Sequence, residues 1–378
     1  MSMRVFALTV SLFSLAVSAC DDGSGDDVEE IDFTRFDEAL QKALDEKKIT
    51  GASAAVVHEK FGVMHTQGFG TFAADRLYLI ASSSKILSVG VLMRLADQGK
   101  LNIDESIGTY LKEWGETKAS KITVAQLVSN SSGLPSLAEV SAAATNMSSP
   151  YYSNLCQYTD QGSLEACGKV LYATEPPREP DQMFAYGGSQ WQLAGALAEQ
   201  VSGKSWAELI EETYVTPCGV PSLGYTNQFA KGGTGYPAFF QAKKANLPVT
   251  DNPSIEGGAY VTVGDYAKLL LMHLRGGMCG ETRVLSEEAT ERMQEDRVSA
   301  HGGTGNASAP GYGLGFWINS ENQTVTDPGA YGSFPLLDQK RRYGVFIAVE
   351  LSSEVGTQLG AAVKPTLDKI FDEAKIED

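Results

Sequence analysis

Strand-like patterning in this chain is confined to its two ends, and that segregation limits the possible folds more than any short motif does. Near the start, residues 51–58 (Gly-Ala-Ser-Ala-Ala-Val-Val-His) and 61–69 read as strands separated by the polar Glu59-Lys60 turn. Near the end, residues 313–319, 323–327 and 343–350 repeat the pattern. Outside them lie two amphipathic helices. Residues 33–47 place Phe33, Phe36, Leu40 and Leu44 on one face, and residues 354–373 do the same with Val355, Leu359, Val363, Leu367, Ile370 and Phe371, with a kink predicted at Pro365. The stretch between is mainly helical. Strands so far apart find partners only in each other, which predicts an α/β (α+β) fold. Its single antiparallel sheet is flanked by the terminal helices, and a mainly helical lobe of about residues 80–255 is inserted between the two halves. Residues 33–378 form one domain in this reading, without internal repeats.

Charge narrows the partners. Lys and Arg number 30 against 47 Asp and Glu, a net charge of −17, and such a polyanion repels phosphate backbones, so nucleic acid is excluded as a partner. Hydrophobic residues at 43% and charged residues at 20% exclude a disordered chain. Residues 1–19 carry one early positive charge and an apolar run too short to span a bilayer, the pattern of an export signal. The run ends Leu15-Ala-Val-Ser-Ala-Cys20, which resembles a bacterial lipobox in which Cys20 is lipidated; a plain signal with an incidental Cys is the alternative. The acidic segment 20–32 then reads as a solvated tether, so the expected product is exported and touches a membrane by its anchor only.

Four further cysteines, Cys156, Cys167, Cys218 and Cys279, are an even number in an exported chain. Three pairings are possible. The one that closes a short loop (Cys156–Cys167) and staples two distant segments (Cys218–Cys279) is favoured over the others and over four free thiols. No cysteine pair has metal-ligand spacing and the four histidines are scattered, so neither a metal nor a cofactor is implied.

Ser82-Ser83-Ser84-Lys85 precedes the apolar run 86–95, with Gly99 placed to end the helix. A spacing of three puts the Lys85 amine one turn above the Ser82 hydroxyl, where a desolvated lysine can act as its base. The bland reading is a serine N-cap beside a surface lysine. Ser-x-x-Lys occurs once, and Gly-x-Ser-x-Gly not at all, which counts against an α/β-hydrolase.

Wider context decides between them. Leu79–Ser88, Leu95–Asp104, Ile122–Pro135, the Phe184-Ala-Tyr-Gly-Gly188 segment with the following 193–206, Ile255–Leu269 and Tyr312–Trp317 together resemble, in order and spacing, the serine β-lactamase-like family. That family comprises class C β-lactamases, DD-peptidases, family VIII carboxylesterases and related amidases and acyltransferases. The resemblance covers about residues 35–370 and implies a β-lactamase/transpeptidase-like fold acting on a small ester, amide or β-lactam-like substrate. It gives Ser82 as the nucleophile, Lys85 as the neighbouring base and Tyr186 as the phenol that relays the proton. It aligns Asp327-Pro328-Gly329 with the third family motif, Gly332 following at the family's interval, and makes the main-chain amides of Ser82 and Ala330 the oxyanion hole.

Two departures bear on the substrate. Asp327 stands where β-lactamases and DD-peptidases hold the substrate carboxylate with a cation, and two carboxylates about 4 Å apart repel by roughly 4 kcal/mol at an effective dielectric of 20. The residue can instead be turned by Pro328 to solvent or into a structural hydrogen bond. Facing the cleft, it would raise the pKa of Lys85 or Tyr186. Gly188 stands where the family's Asn would bind both the lysine and the acyl amide, so amides lose a partner. Phe229, Tyr236, Phe239 and Phe240, in the cleft-wall loop 225–248, are candidates to line an acyl pocket, and residues 137–175 are expected to cover the cleft. The expected function is therefore a carboxylesterase on uncharged esters that forms an acyl-enzyme at Ser82. A DD-peptidase or β-lactamase is the second reading, and an inactive lipid-tethered binding or sensor module the third.

Overall fold

The computed structural model describes residues 31–227, 247 and 250–374. Seven strands form an antiparallel sheet in the order Gly62–Gly70, Gly51–His58, Tyr343–Ala348, Ser333–Asp338, Thr324–Thr326, Trp317–Asn319, Gly311–Tyr312. The two chain ends interleave in it: Gly51–His58 pairs with Tyr343–Ala348, Ser53 opposite Ala348 and His58 opposite Tyr343. Every residue of Gly51–His58 is buried, so the strand is covered on both faces. Successive side chains alternate between those faces. Phe346 meets the Val263–Leu274 helix, stacking on Tyr266 at 4.0 Å. Tyr343, on the opposite face, stacks at 4.8 Å on Phe371 of the Ser353–Glu373 helix, and the Thr34–Glu46 helix packs beside it.

Two features depart from the sequence reading. Ser333–Asp338 occupies the middle of the sheet although Pro335 removes one ladder donor and hides it from a strand pattern. The expected strand 313–319 is broken into Gly311–Tyr312 and Trp317–Asn319. Gly315, at φ +84°, turns the chain between them so closely against the Ser84–Asp97 helix that a Cβ there would lie 3.2 Å from the Lys85 carbonyl oxygen. Pro365, where a kink is expected, lies inside the helix that runs from Ser353 to Glu373, with its ring on the exposed face.

A second sheet has no counterpart in the sequence reading. Ala259–Thr262 pairs on one side with Leu77–Leu79 and on the other with Gly224–Tyr225, joining the two ends of the inserted lobe. Residues from Phe33 onward form one compact unit, whose core runs from Ala55 and Phe346 in the large sheet to Leu127, Trp191 and Leu197 in the lobe. Through its middle passes the Ser84–Asp97 helix, buried on nearly all sides, where each apolar side chain such as Leu87 or Leu92 contributes roughly 1.5–3 kcal/mol. It ends as the sequence predicts, with Gly99 at φ +69° and the Lys100 amide bonded back to the Leu95 carbonyl at 2.9 Å. Disulfides join Cys156 to Cys167 and Cys218 to Cys279. Among the described residues no helix is long and apolar enough to cross a membrane.

Candidate active site

Ser82 lies in a tight turn between the Leu77–Leu79 strand and the Ser84–Asp97 helix, directly after Ala81, whose φ of +44° is costly for a residue with a Cβ. The surroundings hold that turn firmly. Ser83 Oγ donates to the Asp327 carbonyl at 2.7 Å and Ser84 Oγ to the Ala81 carbonyl at 2.6 Å, and the Ala259 amide donates to Ser84 Oγ at 2.9 Å. The two serines between Ser82 and Lys85 are thus structural, fully buried and bonded. Ser82 alone of the three is partly exposed.

Lys85 and Tyr186 converge on it. Lys85 Nζ donates to Ser82 Oγ at 3.1 Å and the Tyr186 hydroxyl donates to the same oxygen at 2.7 Å. The Lys85 ammonium also lies 4.7 Å from the centre of the Tyr186 ring. Tyr186 is held from the segment 130–137: the Leu137 amide donates to the Tyr186 carbonyl at 2.7 Å and the Ala185 amide to the Asn130 carbonyl at 2.7 Å. Asn130, at φ +56°, accepts from both Gln190 and Trp191 on the Gly188–Ser202 helix. Trp317 stacks on the tyrosine ring at 5.7 Å.

Asp327 follows the Thr324–Thr326 strand and is wholly buried, neither turned to solvent nor hydrogen-bonded through its side chain. Burial drives its pKa well above the usual carboxylate range, against the pull of Lys85 and the nearby Trp317 indole. Lys85 also has no exposed surface. Burial works against its charge, but Tyr186, Glu256 and Asp327 around it outweigh that and hold its pKa above the ordinary lysine value. Burial raises Tyr186 as well, opposed by Lys85. In this geometry Lys85 Nζ and the Tyr186 hydroxyl both donate to the serine oxygen.

Gly329 brings the third segment against the nucleophile turn. A Cβ on it would lie 2.0 Å from the Ile80 carbonyl oxygen, so only glycine fits. Ala330 follows on an exposed tip. Gly188 begins its helix with its Cβ position occupied by the ends of the Gln157 and Glu256 side chains. Phe240, with Phe229, Tyr236 and Phe239, lies outside the described residues, as does Cys20. Residues missed by the sequence reading are Glu256, Gln157, Trp317 and Asn130. Only Glu256 carries a linear signal, a lone charge beside Gly257-Gly258 in an otherwise apolar stretch. Among the described residues no cluster suits a metal ion.

An antiparallel sheet with a helical lobe, and a Ser-x-x-Lys turn facing a tyrosine between them, defines the scaffold shared by β-lactamases and penicillin-binding proteins. The chain belongs to the beta-lactamase family, whose sequence profile, described as Beta-lactamase, matches residues 36–363. It is similar to Protein flp of Staphylococcus aureus (strain N315), 22% identical over 338 residues, an alignment covering 85% of this chain and 63% of that protein. The chain therefore spans less than two thirds of the length of that curated relative. Among solved structures it resembles EstCE1, a hydrolase with promiscuous acyltransferase activity, at a TM-score of 0.68 and 20% identity, covering 87% of this chain and 97% of the other. It also resembles a family VIII carboxylesterase, at a TM-score of 0.64 and 19% identity, covering 88% and 97%. At these identities the likeness to solved structures shows the fold.

Proposed function

We propose that this protein is a serine hydrolase that forms an acyl-enzyme at Ser82 and acts on uncharged esters. The observation that carries the reading is the pair of hydrogen bonds converging on Ser82 Oγ, from Lys85 at 3.1 Å and Tyr186 at 2.7 Å. Once the Lys85–Tyr186 pair has lost one proton it can take the hydroxyl proton of Ser82 as Oγ bonds to the ester carbonyl carbon. The developing oxyanion is received by the main-chain amides of Ser82 and Ala330, each worth about 3 kcal/mol by mutational precedent. Collapse breaks the bond to the alkoxide, which leaves as the alcohol with a proton relayed through Tyr186. Water then attacks the acyl-enzyme and gives its proton to the same pair, which passes it to Ser82 Oγ as the acyl bond breaks and the acid is released.

Esters fit better than amides because Gly188 offers no side chain to an acyl amide, and substrate carboxylates fit badly because Asp327, buried as the neutral acid, stands where a cation would hold them and supplies none. The names of EstCE1 and of the family VIII carboxylesterase support the same class. Turnover of p-nitrophenyl acetate and butyrate is expected from the wild type and is expected to fall by about 10³-fold or more in Ser82→Ala. Equal rates in the two proteins would reject the assignment, and stoichiometric labelling of Ser82 by a fluorescent penicillin would move it to the penicillin-binding class.

In the same reading the chain is exported and tethered through lipid on Cys20, supported by the apolar leader and the acidic segment that follows. Palmitate incorporation by producing cells, lost in Cys20→Ala, is the expected result; incorporation unchanged by that substitution refutes the anchor.

A further inference from the structure

Gly188 stands two residues after Tyr186, and what fills its side-chain space comes from elsewhere in the chain. A Cβ at this position would lie 2.2 Å from Gln157 Oε1 and 2.3 Å from Glu256 Oε1. Gln157 belongs to the turn closed by the Cys156–Cys167 disulfide and is held through its amide nitrogen, which donates to the Asn154 carbonyl at 2.9 Å and to Ser189 Oγ at 3.1 Å. Glu256 belongs to the segment that enters the Ala259–Thr262 strand.

Glu256 meets Lys85 twice. Its carbonyl oxygen accepts a hydrogen bond from Nζ at 3.1 Å, and its carboxylate Oε2 lies 3.8 Å from the same nitrogen. The other groups around the ammonium are Ser82, the Tyr186 ring and hydroxyl, the Trp191 ring at 5.7 Å and the buried carboxyl of Asp327. Asp327 makes no side-chain hydrogen bond, and burial favours its neutral acid. The Glu256 carboxylate, with 14% of its side chain exposed, keeps contact with water and with Lys85 together. Beside it lies Tyr158, whose ionisation is suppressed first by burial and then by the Glu256 charge.

We infer that Glu256 is the positioning residue for Lys85, supplying from a distant segment the oxygen that a longer side chain at 188 would otherwise bring, and that residue 188 is glycine in order to admit it. The inference rests on the reading of Ser82 as nucleophile. A site rebuilt in this way has exchanged a neutral acceptor for a carboxylate beside its lysine.

The test compares wild type, Glu256→Ala, Glu256→Gln, Gly188→Ala and the double variant Gly188→Ala/Glu256→Ala on p-nitrophenyl butyrate, with thermal melting to confirm folding. Glu256→Ala is expected to lower kcat by about 10–100-fold with KM changed by less than about 3-fold, the pattern of lost positioning. Glu256→Gln keeps the oxygen and is expected to stay within about 5-fold in kcat. Losing the negative charge lowers the Lys85 pKa, so the ascending limb of kcat/KM moves to lower pH in both Glu256 variants. Gly188→Ala pushes Glu256 off Lys85 and is expected to resemble Glu256→Ala; the double variant is expected to be no slower than Glu256→Ala, because both changes act through one space. Wild-type acylation with kcat and pH profile unchanged in a folded Glu256→Ala overturns the inference, as do additive losses in the double variant. Absence of acylation at Ser82 in the wild type overturns the hydrolase reading instead.

Discussion

A buried carboxyl group without a hydrogen bond is far less costly as the neutral acid than as the ion, and Asp327 is such a group. The lysine nearby is buried as deeply but is surrounded by oxygen: Ser82 Oγ, the Glu256 carbonyl and the Glu256 carboxylate. The two therefore solve burial oppositely, Lys85 by recruiting partners and Asp327 by keeping its proton. Asp327 consequently has a stability signature. Its pKa in the unfolded chain is the ordinary value of about 3.9, and in the folded chain it is raised well above that. Between those values the folded protein holds a proton that the unfolded chain has released, so stability falls as pH rises through that window. Below the lower value both states are protonated and nothing is lost. Asp327→Asn is neutral throughout. It is expected to melt higher than wild type at about pH 7.5, with the difference shrinking as pH approaches about 4. A Tm difference that stays constant across that range would show that the carboxyl is not held as the acid.

At the scale of elements, what was legible in the sequence was whatever is completed locally. The Thr34–Glu46 and Ser353–Glu373 helices, the Gly51–His58 strand and the Ser84–Asp97 helix each carry their full apolar period within one segment, and the Ser82–Lys85 pairing needs only a single turn. The central strand Ser333–Asp338 was missed because Pro335 weakens its pattern, while the neighbours that make it a strand lie in other segments. Glycines divide in the same way. Gly99 was readable because its positive φ ends a helix within the segment. Gly90 was not: it sits mid-helix at an intrinsic cost of roughly 1 kcal/mol because a Cβ there would lie 1.9 Å from the hydroxyl of Tyr214. Gly188 is the sharpest case. In the linear sequence it looks like a lost contact, whereas in space it is the room taken by Gln157 and Glu256, the latter 171 positions from the lysine it serves. Side chains that arrive from such distances leave no periodicity to read.

The whole molecule is a sheet sewn from both chain ends with a lobe between them, and its two disulfides lie at different points of that plan. Cys218–Cys279 links the Thr216–Cys218 turn of the lobe to the Met278–Cys279 strand after the Val263–Leu274 helix, closing 61 positions. Cys156–Cys167 closes 11 positions and holds the turn that carries Gln157. On loop-closure entropy the longer bridge is worth about 4 kcal/mol and the shorter about 3. The positions in the fold predict a sharper contrast than those energies do. Replacing Cys218 and Cys279 by alanine is expected to lower unfolding free energy in urea by up to about 4 kcal/mol while leaving kcat on p-nitrophenyl butyrate unchanged at temperatures where the protein stays folded. Replacing Cys156 and Cys167 is expected to cost less stability but to reduce kcat as well, because the turn that places Gln157 in the same space as Glu256 at Gly188 is then loosened. Equal kcat losses from the two pairs would mean that the lobe transmits strain to the site as one body. A loss confined to the shorter bridge would locate the geometry of catalysis in the turn it closes, with the longer bridge serving only to keep lobe and sheet together.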